Sequence, residues 1–180
     1  RTEATLCGPT AHHMVKHYAL SFLSIALGNL LFAQGDTCTN ALPVVSGFYH
    51  ADGPTTGNGG NYGCGASGQN GDWYAYTSSF TGTINITSCN GDNNPTHPDT
   101  YVKVLTGSCG AFTCVGFNDD MGGNSCPGHP FATYLDVPVT AGETYYIVWS
   151  SVFNSDDFYW QLGECYGTVT GVTYKDANGN

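Results

Sequence analysis

Between positions 41 and 162 apolar and polar residues alternate with a period of two, seen most plainly where Ile84 and Ile86 interleave with Thr83, Asn85 and Thr87. Successive side chains of a strand point to opposite faces, so such a run buries one face and wets the other. Similar runs fall at 42–49, 73–77, 101–106, 113–117, 132–139, 144–149 and 158–162. They are rich in β-branched and aromatic residues and are punctuated by Gly, Asn, Asp and Pro. No window after Gly35 carries the 3.6-residue period of a useful helix. A succession of short strands without intervening helices predicts an all-β chain folded as an antiparallel two-sheet β-sandwich. Ile84, Ile86, Val102, Val104, Ile147, Trp149, Phe158 and Trp160 are the expected core. The Gly- and Asn-rich stretches 53–71, 90–98 and 121–130 are expected loops. The first lacks both the Gly-Lys-Ser/Thr ending and the following helix of a phosphate cradle, and is read as a flexible loop.

The first part of the chain has a different pattern. Lys16 and His17 precede an almost unbroken apolar run from Tyr18 to Ala33, followed by Gln34-Gly35-Asp36. A cationic start, a short apolar stretch and a small residue at its end form the order of a secretory signal peptide, here 14–33 with cleavage expected after Ala33. The apolar run is shorter than the roughly 20 residues that cross a bilayer, so no membrane insertion is expected after cleavage. Residues 1–13 precede the natural-looking start at Met14 and are read as upstream read-through or an appended remnant. The sandwich is expected over 36–165, and 166–180 as the opening of a further domain or repeat.

Export sharpens the charge and changes how the cysteines read. The 180-residue chain has a formal net charge of −10. From Asp36 onward two cations stand against thirteen acids, a net of −11. With so few cations no basic patch can neutralise phosphates, which excludes nucleic acid as a partner. Seven of the eight cysteines lie in the exported part, where disulfides persist, and three bridges with one cysteine left over is the expected count. Cys109 and Cys114 flank a four-residue segment and are expected to close a hairpin-sized loop. A zinc site would need two close Cys or His pairs, and the other short spacing is the single Cys126-Pro127-Gly128-His129.

Catalytic signatures are missing from the sequence. There is no Gly-x-Ser-x-Gly elbow and no His-Glu-x-x-His, and His50, His97 and His129 fall in or beside loops. The chain is therefore expected not to be an enzyme. Asp99, Asn118, Asp119 and Asp120 sit at strand edges, where several hard oxygens can converge on calcium. The same residue types also serve turns, bonding to their own backbone and binding nothing, and both readings stand.

One series of motifs adds to this. Asp72-Trp73-Tyr74-Ala75-Tyr76-Thr77, Thr81-Gly82-Thr83-Ile84, Asp99-Thr100-Tyr101-Val102-Lys103-Val104, Gly107-Ser108-Cys109-Gly110, Asn118-Asp119-Asp120 and Ala141-Gly142-Glu143-Thr144-Tyr145-Tyr146-Ile147 occur in this order. Together they resemble the bacterial pre-peptidase C-terminal domain, in its cysteine-bearing form, from about Asp36 to Leu162. The resemblance implies a jelly-roll-like sandwich, related in shape to CUB domains, that does no chemistry and is attached to secreted peptidases or long surface proteins. It also implies calcium held by acids at strand ends, which map onto Asp99, Asn118, Asp119 and Asp120. The expected function is a secreted or cell-surface binding or stabilising module, adhesive in character, that recognises an extracellular polysaccharide or protein through exposed aromatics such as Tyr62, Phe153 or Tyr159. The alternative is an accessory domain of a secreted peptidase or other hydrolase whose catalytic part lies elsewhere.

Overall fold

Alternating burial becomes strand structure wherever a neighbouring strand is available to satisfy the backbone. The computed structural model describes residues 35–90, 93, 98–121, 126 and 128–165. The expected leader, the segment before it and the expected further domain all lie outside these residues. A 3₁₀ turn at Cys38–Asn40 leads into nine strands: β1 (Leu42–Val44), β2 (Gly47–Ala51), β3 (Gly71–Thr77), β4 (Gly82–Thr87), β5 (Val102–Ser108), β6 (Ala111–Asn118), β7 (Tyr134–Val139), β8 (Thr144–Ser150) and β9 (Phe158–Cys165). One sheet has the order β1-β3-β8-β5-β6 and the other β2-β9-β4-β7. Every pairing is antiparallel except β1 with β3. The chain changes sheet at each connection from β1 onward except the β5–β6 hairpin, the winding of a jelly roll.

All eight residues expected in the core are buried, each with 4% or less of its surface exposed. They pack between the sheets with Tyr74, Tyr76, Val137 and Leu162. Trp160 stacks on Tyr49 at 4.8 Å and meets Trp149 at 5.6 Å, so large rings span the interior. Burying a side chain of this kind contributes about 1.5–3 kcal/mol. The run at 42–49 divides at Val45 and Ser46: its first part joins β3 and its second joins β9, so one sequence stretch feeds both sheets.

A second, smaller cluster of Cys64, Trp73, Leu105 and Val148 lies outside the interior between the sheets. The Gly-rich stretch after β2 covers it. This corrects the expectation of a flexible loop, because four ties hold that stretch to the sheet. Cys64 is bridged to Cys114, and Lys103 Nζ donates to the Gly59 and Gly60 carbonyls at 2.7 Å each. Trp73 Nε1 donates to the Asn58 carbonyl, and Ala66 N–H to the Tyr101 hydroxyl, both at 2.8 Å. Lys103 is fully buried on β5, and the cost of removing its charge from water lowers its pKa to about 8.

Among the described residues three disulfides join Cys38 to Cys109, Cys64 to Cys114 and Cys89 to Cys126. The expected Cys109–Cys114 bridge is therefore not formed. The hairpin register explains this: Ser108 faces Ala111, so Cys109 and Gly110 form the tip, whereas Cys114 lies down β6 opposite Leu105. Gly110 adopts a φ of 92°, which suits the tight turn. Cys109 is thus available to Cys38 and Cys114 to the covering loop. Cys165 is disulfide-bonded as well, so the expected leftover cysteine is not free. No helix among the described residues is long and apolar enough to cross a membrane.

Candidate metal site

The β5–β6 hairpin brings the expected acids together. Val102, at the start of β5, faces Asn118, at the end of β6, so the segment entering β5 and the segment leaving β6 emerge side by side. Asp99 lies on the first segment, and Asp119 and Asp120 on the second. Each offers a carboxylate oxygen, and these oxygens lie within 4.8 Å of one another. Oxygen ligands bind calcium at 2.3–2.6 Å, so two ligands of one ion stand no more than about 5 Å apart, and the spacing fits a single ion.

A buried knot of hydroxyl groups fixes the backbone beneath these acids. Thr133 Oγ1 lies 2.6 Å from the Thr100 carbonyl and 2.8 Å from the Asp119 carbonyl, tying the two acid-bearing segments together. Thr100 Oγ1 donates to Thr133 Oγ1 at 3.0 Å and lies 2.6 Å from Ser88 Oγ, which accepts the Thr133 N–H at 2.9 Å. Met121 N–H donates to the Ala132 carbonyl at 2.8 Å, holding the chain just beyond Asp120.

The carboxylates are poorly satisfied by the protein. Asp99 Oδ1 and Asp119 Oδ1 are both buried and receive no hydrogen bond. Burial, and then the Asp120 charge, raise the Asp99 carboxyl above its ordinary range. Asp119 is raised first by burial and then by Asp120 and Asp99. Oxygen donors that repel one another and lack hydrogen-bond donors suit a hard cation. Asn118, the fourth expected ligand, is partly engaged elsewhere: its Oδ1 accepts the Tyr134 N–H at 3.2 Å and links β6 to β7. The turn-forming alternative finds less support, since the unbonded oxygens are not those of Asx turns.

Other expected contacts are distributed. Phe153 and Tyr159 are exposed, whereas Tyr62 packs edge-on against Trp73 and Phe112 at 5.3 and 5.4 Å. Sequence reasoning missed the state of Asp72, which is 1% exposed on β3 with neither carboxylate oxygen hydrogen-bonded. Burial, followed by the charges of Asp36 and Asp52, pushes its pKa up to about 7. Its place in a run of buried residues before Trp73 was the available signal.

Fold and site together define a disulfide-bonded jelly-roll β-sandwich with an acidic cluster at one end. No family model matches the chain. No curated protein matches it either.

Proposed function

We propose that this chain is an exported, non-catalytic binding module that holds a calcium ion on Asp99, Asp119 and Asp120 and presents its surface to an extracellular polymer. The observation that carries the calcium reading is the pair of buried, unbonded oxygens Asp99 Oδ1 and Asp119 Oδ1 beside the Asp120 carboxylate. Carboxylates in that state are destabilised by burial and mutual repulsion, and a divalent cation relieves both. Backbone carbonyls and water would complete the six to eight oxygens that calcium takes. Three disulfides support export, since such bonds persist in oxidising compartments. The resemblance to pre-peptidase C-terminal domains supports the same reading, since it implies a sandwich that does no chemistry.

Thermal unfolding in calcium and in chelator tests this reading. A ligand that binds only the folded state stabilises by about 2.7 kcal/mol at one hundred times its dissociation constant. The wild type is expected to unfold at higher temperature in calcium. Asp99→Ala and Asp119→Ala are expected to lose that difference. If wild type and variants are equally insensitive to calcium and chelator, the site is refuted.

A further inference from the structure

Charge and apolar surface are not spread evenly over the sandwich. Strand register puts the ends of β2, β4, β6 and β8 and the starts of β3, β5, β7 and β9 at one pole. Asp52, Asp99, Asp119, Asp120, Asp156 and Asp157 all lie in the loops of that pole. The turns of the opposite pole, at 45–46, 78–81, 109–110 and 140–143, carry Glu143 as their one acid. Among the described residues the one Lys or Arg is Lys103, which is fully buried and shows no charge to solvent. The loop pole is therefore the strongly negative end of the described chain.

Exposed rings crowd the same end. Phe117, Phe131, Tyr134 and Phe153 are each between 40% and 54% exposed. Phe117 and Phe153 flank Tyr101 at ring separations of 6.2 and 6.0 Å, and the Phe131 carbonyl accepts the Thr100 N–H at 3.3 Å, next to Asp99. A groove of about 320 Å³ beside Asp120 is lined by Asn118, Met121 and Tyr134. Large rings left in water around a set of carboxylates match one ligand chemistry in particular. An arginine or lysine lays its alkyl stem or cationic head on an aromatic face while its charge meets a carboxylate.

We propose that the loop pole docks a basic polypeptide segment, with arginine or lysine stems on Phe131, Tyr134 and Phe153 and their charges on Asp120, Asp156 and neighbouring acids. Charge complementarity favours this occupant over a neutral glycan, whose hydroxyls can donate to the acids but leave their charge uncompensated. The inference rests on the reading of the chain as a binding module and not on the calcium site. Calcium on Asp119 and Asp120 competes with the segment there, while Asp156 stays available and Asp52 and Asp157 flank the His50 ring at 3.1 and 3.3 Å.

Fluorescence anisotropy of a labelled nona-arginine peptide against the whole chain tests the proposal, with a nona-serine peptide and soluble xylan as comparison ligands. The arginine peptide is expected to bind, more weakly in millimolar calcium and in high salt. Asp119→Asn/Asp120→Asn and Phe131→Ser/Phe153→Ser are each expected to weaken it roughly tenfold, the loss of about one good contact. Glu143→Gln at the opposite pole is expected to leave it unchanged. Circular dichroism confirms that the variants fold. Equal weakening by Glu143→Gln and by the acidic pair, with no effect of the ring pair, would reduce the result to a general field effect and overturn the docking site. Binding of xylan but not of the arginine peptide would overturn the partner class and keep the binding-module reading. Binding of neither would count against both, and a calcium titration of the same sample reports on the metal site separately.

Discussion

Asp72→Asn isolates the consequence of burying a carboxyl group without donors. Asp72 is 1% exposed, and neither of its oxygens is hydrogen-bonded. Its pKa in the folded chain is about 7, against an ordinary 3.8, with desolvation as the main cause and Asp36 and Asp52 adding to it. Well below pH 3.8 the group is neutral in both folded and unfolded chains and has no effect. Between pH 4 and 7 the unfolded chain ionises while the folded chain keeps its proton, so stability falls as pH rises. Above pH 7 both forms are charged and the loss levels off. A shift of about three units at 1.36 kcal/mol each makes the full loss on the order of 4 kcal/mol. Asparagine has nearly the same shape and no charge. Urea unfolding of wild type and Asp72→Asn, measured from pH 4 to 8.5, is expected to give nearly equal stabilities at pH 4 and an advantage of a few kcal/mol for the variant at pH 8. Asp99 and Asp119 also carry raised pKa values, so the difference between the two proteins, and not either curve alone, is the quantity to read. A difference that does not change with pH, or a variant less stable than wild type at pH 8, would refute the argument.

Three further outcomes follow from the ties that hold the loops. Cys64→Ala/Cys114→Ala opens a bridge between residues 50 apart in sequence, and the chain-entropy relation puts the loss at up to about 4 kcal/mol, read as a lower midpoint in guanidinium unfolding. Lys103→Met removes the donor to the Gly59 and Gly60 carbonyls, and amide exchange over 57–66 is expected to rise while the core strands stay protected. Thr133→Val removes the hydroxyl between the Thr100 and Asp119 carbonyls, and is expected to cost about 1–3 kcal/mol and to weaken calcium binding in a titration without touching a carboxylate.

Strand positions and the core were legible because a half-buried strand writes its own burial into the sequence, as Ile84 and Ile86 do between Thr83 and Thr87. The acidic cluster was legible for a related reason: Asp99 precedes one predicted strand and Asp119 follows the next, so a hairpin between them was bound to bring the two together. The disulfide pairing was not, because closeness in sequence around a hairpin tip says nothing about which side chains face each other. Cys114 meets Cys64 only because the Gly-rich loop folds back over the first sheet. The same loop hides Lys103, whose period-two position between Val102 and Val104 marks the outer face of a sheet and gives no hint that this face is covered. Asp72 carries its unusual state for a tertiary reason too: burial raises its pKa most, and Asp36 and Asp52, which arrive from other parts of the chain, add to it.

The most direct test of the central claim is a calorimetric titration of the chelator-treated chain with calcium, alongside Asp99→Asn and Asp120→Asn. A calcium site is expected in the wild type and lost in both variants, with affinity falling as pH drops toward the raised pKa values of Asp99 and Asp119. A wild type that takes up no calcium, or variants that bind it as well as wild type does, would rule out a metal site at Asp99, Asp119 and Asp120.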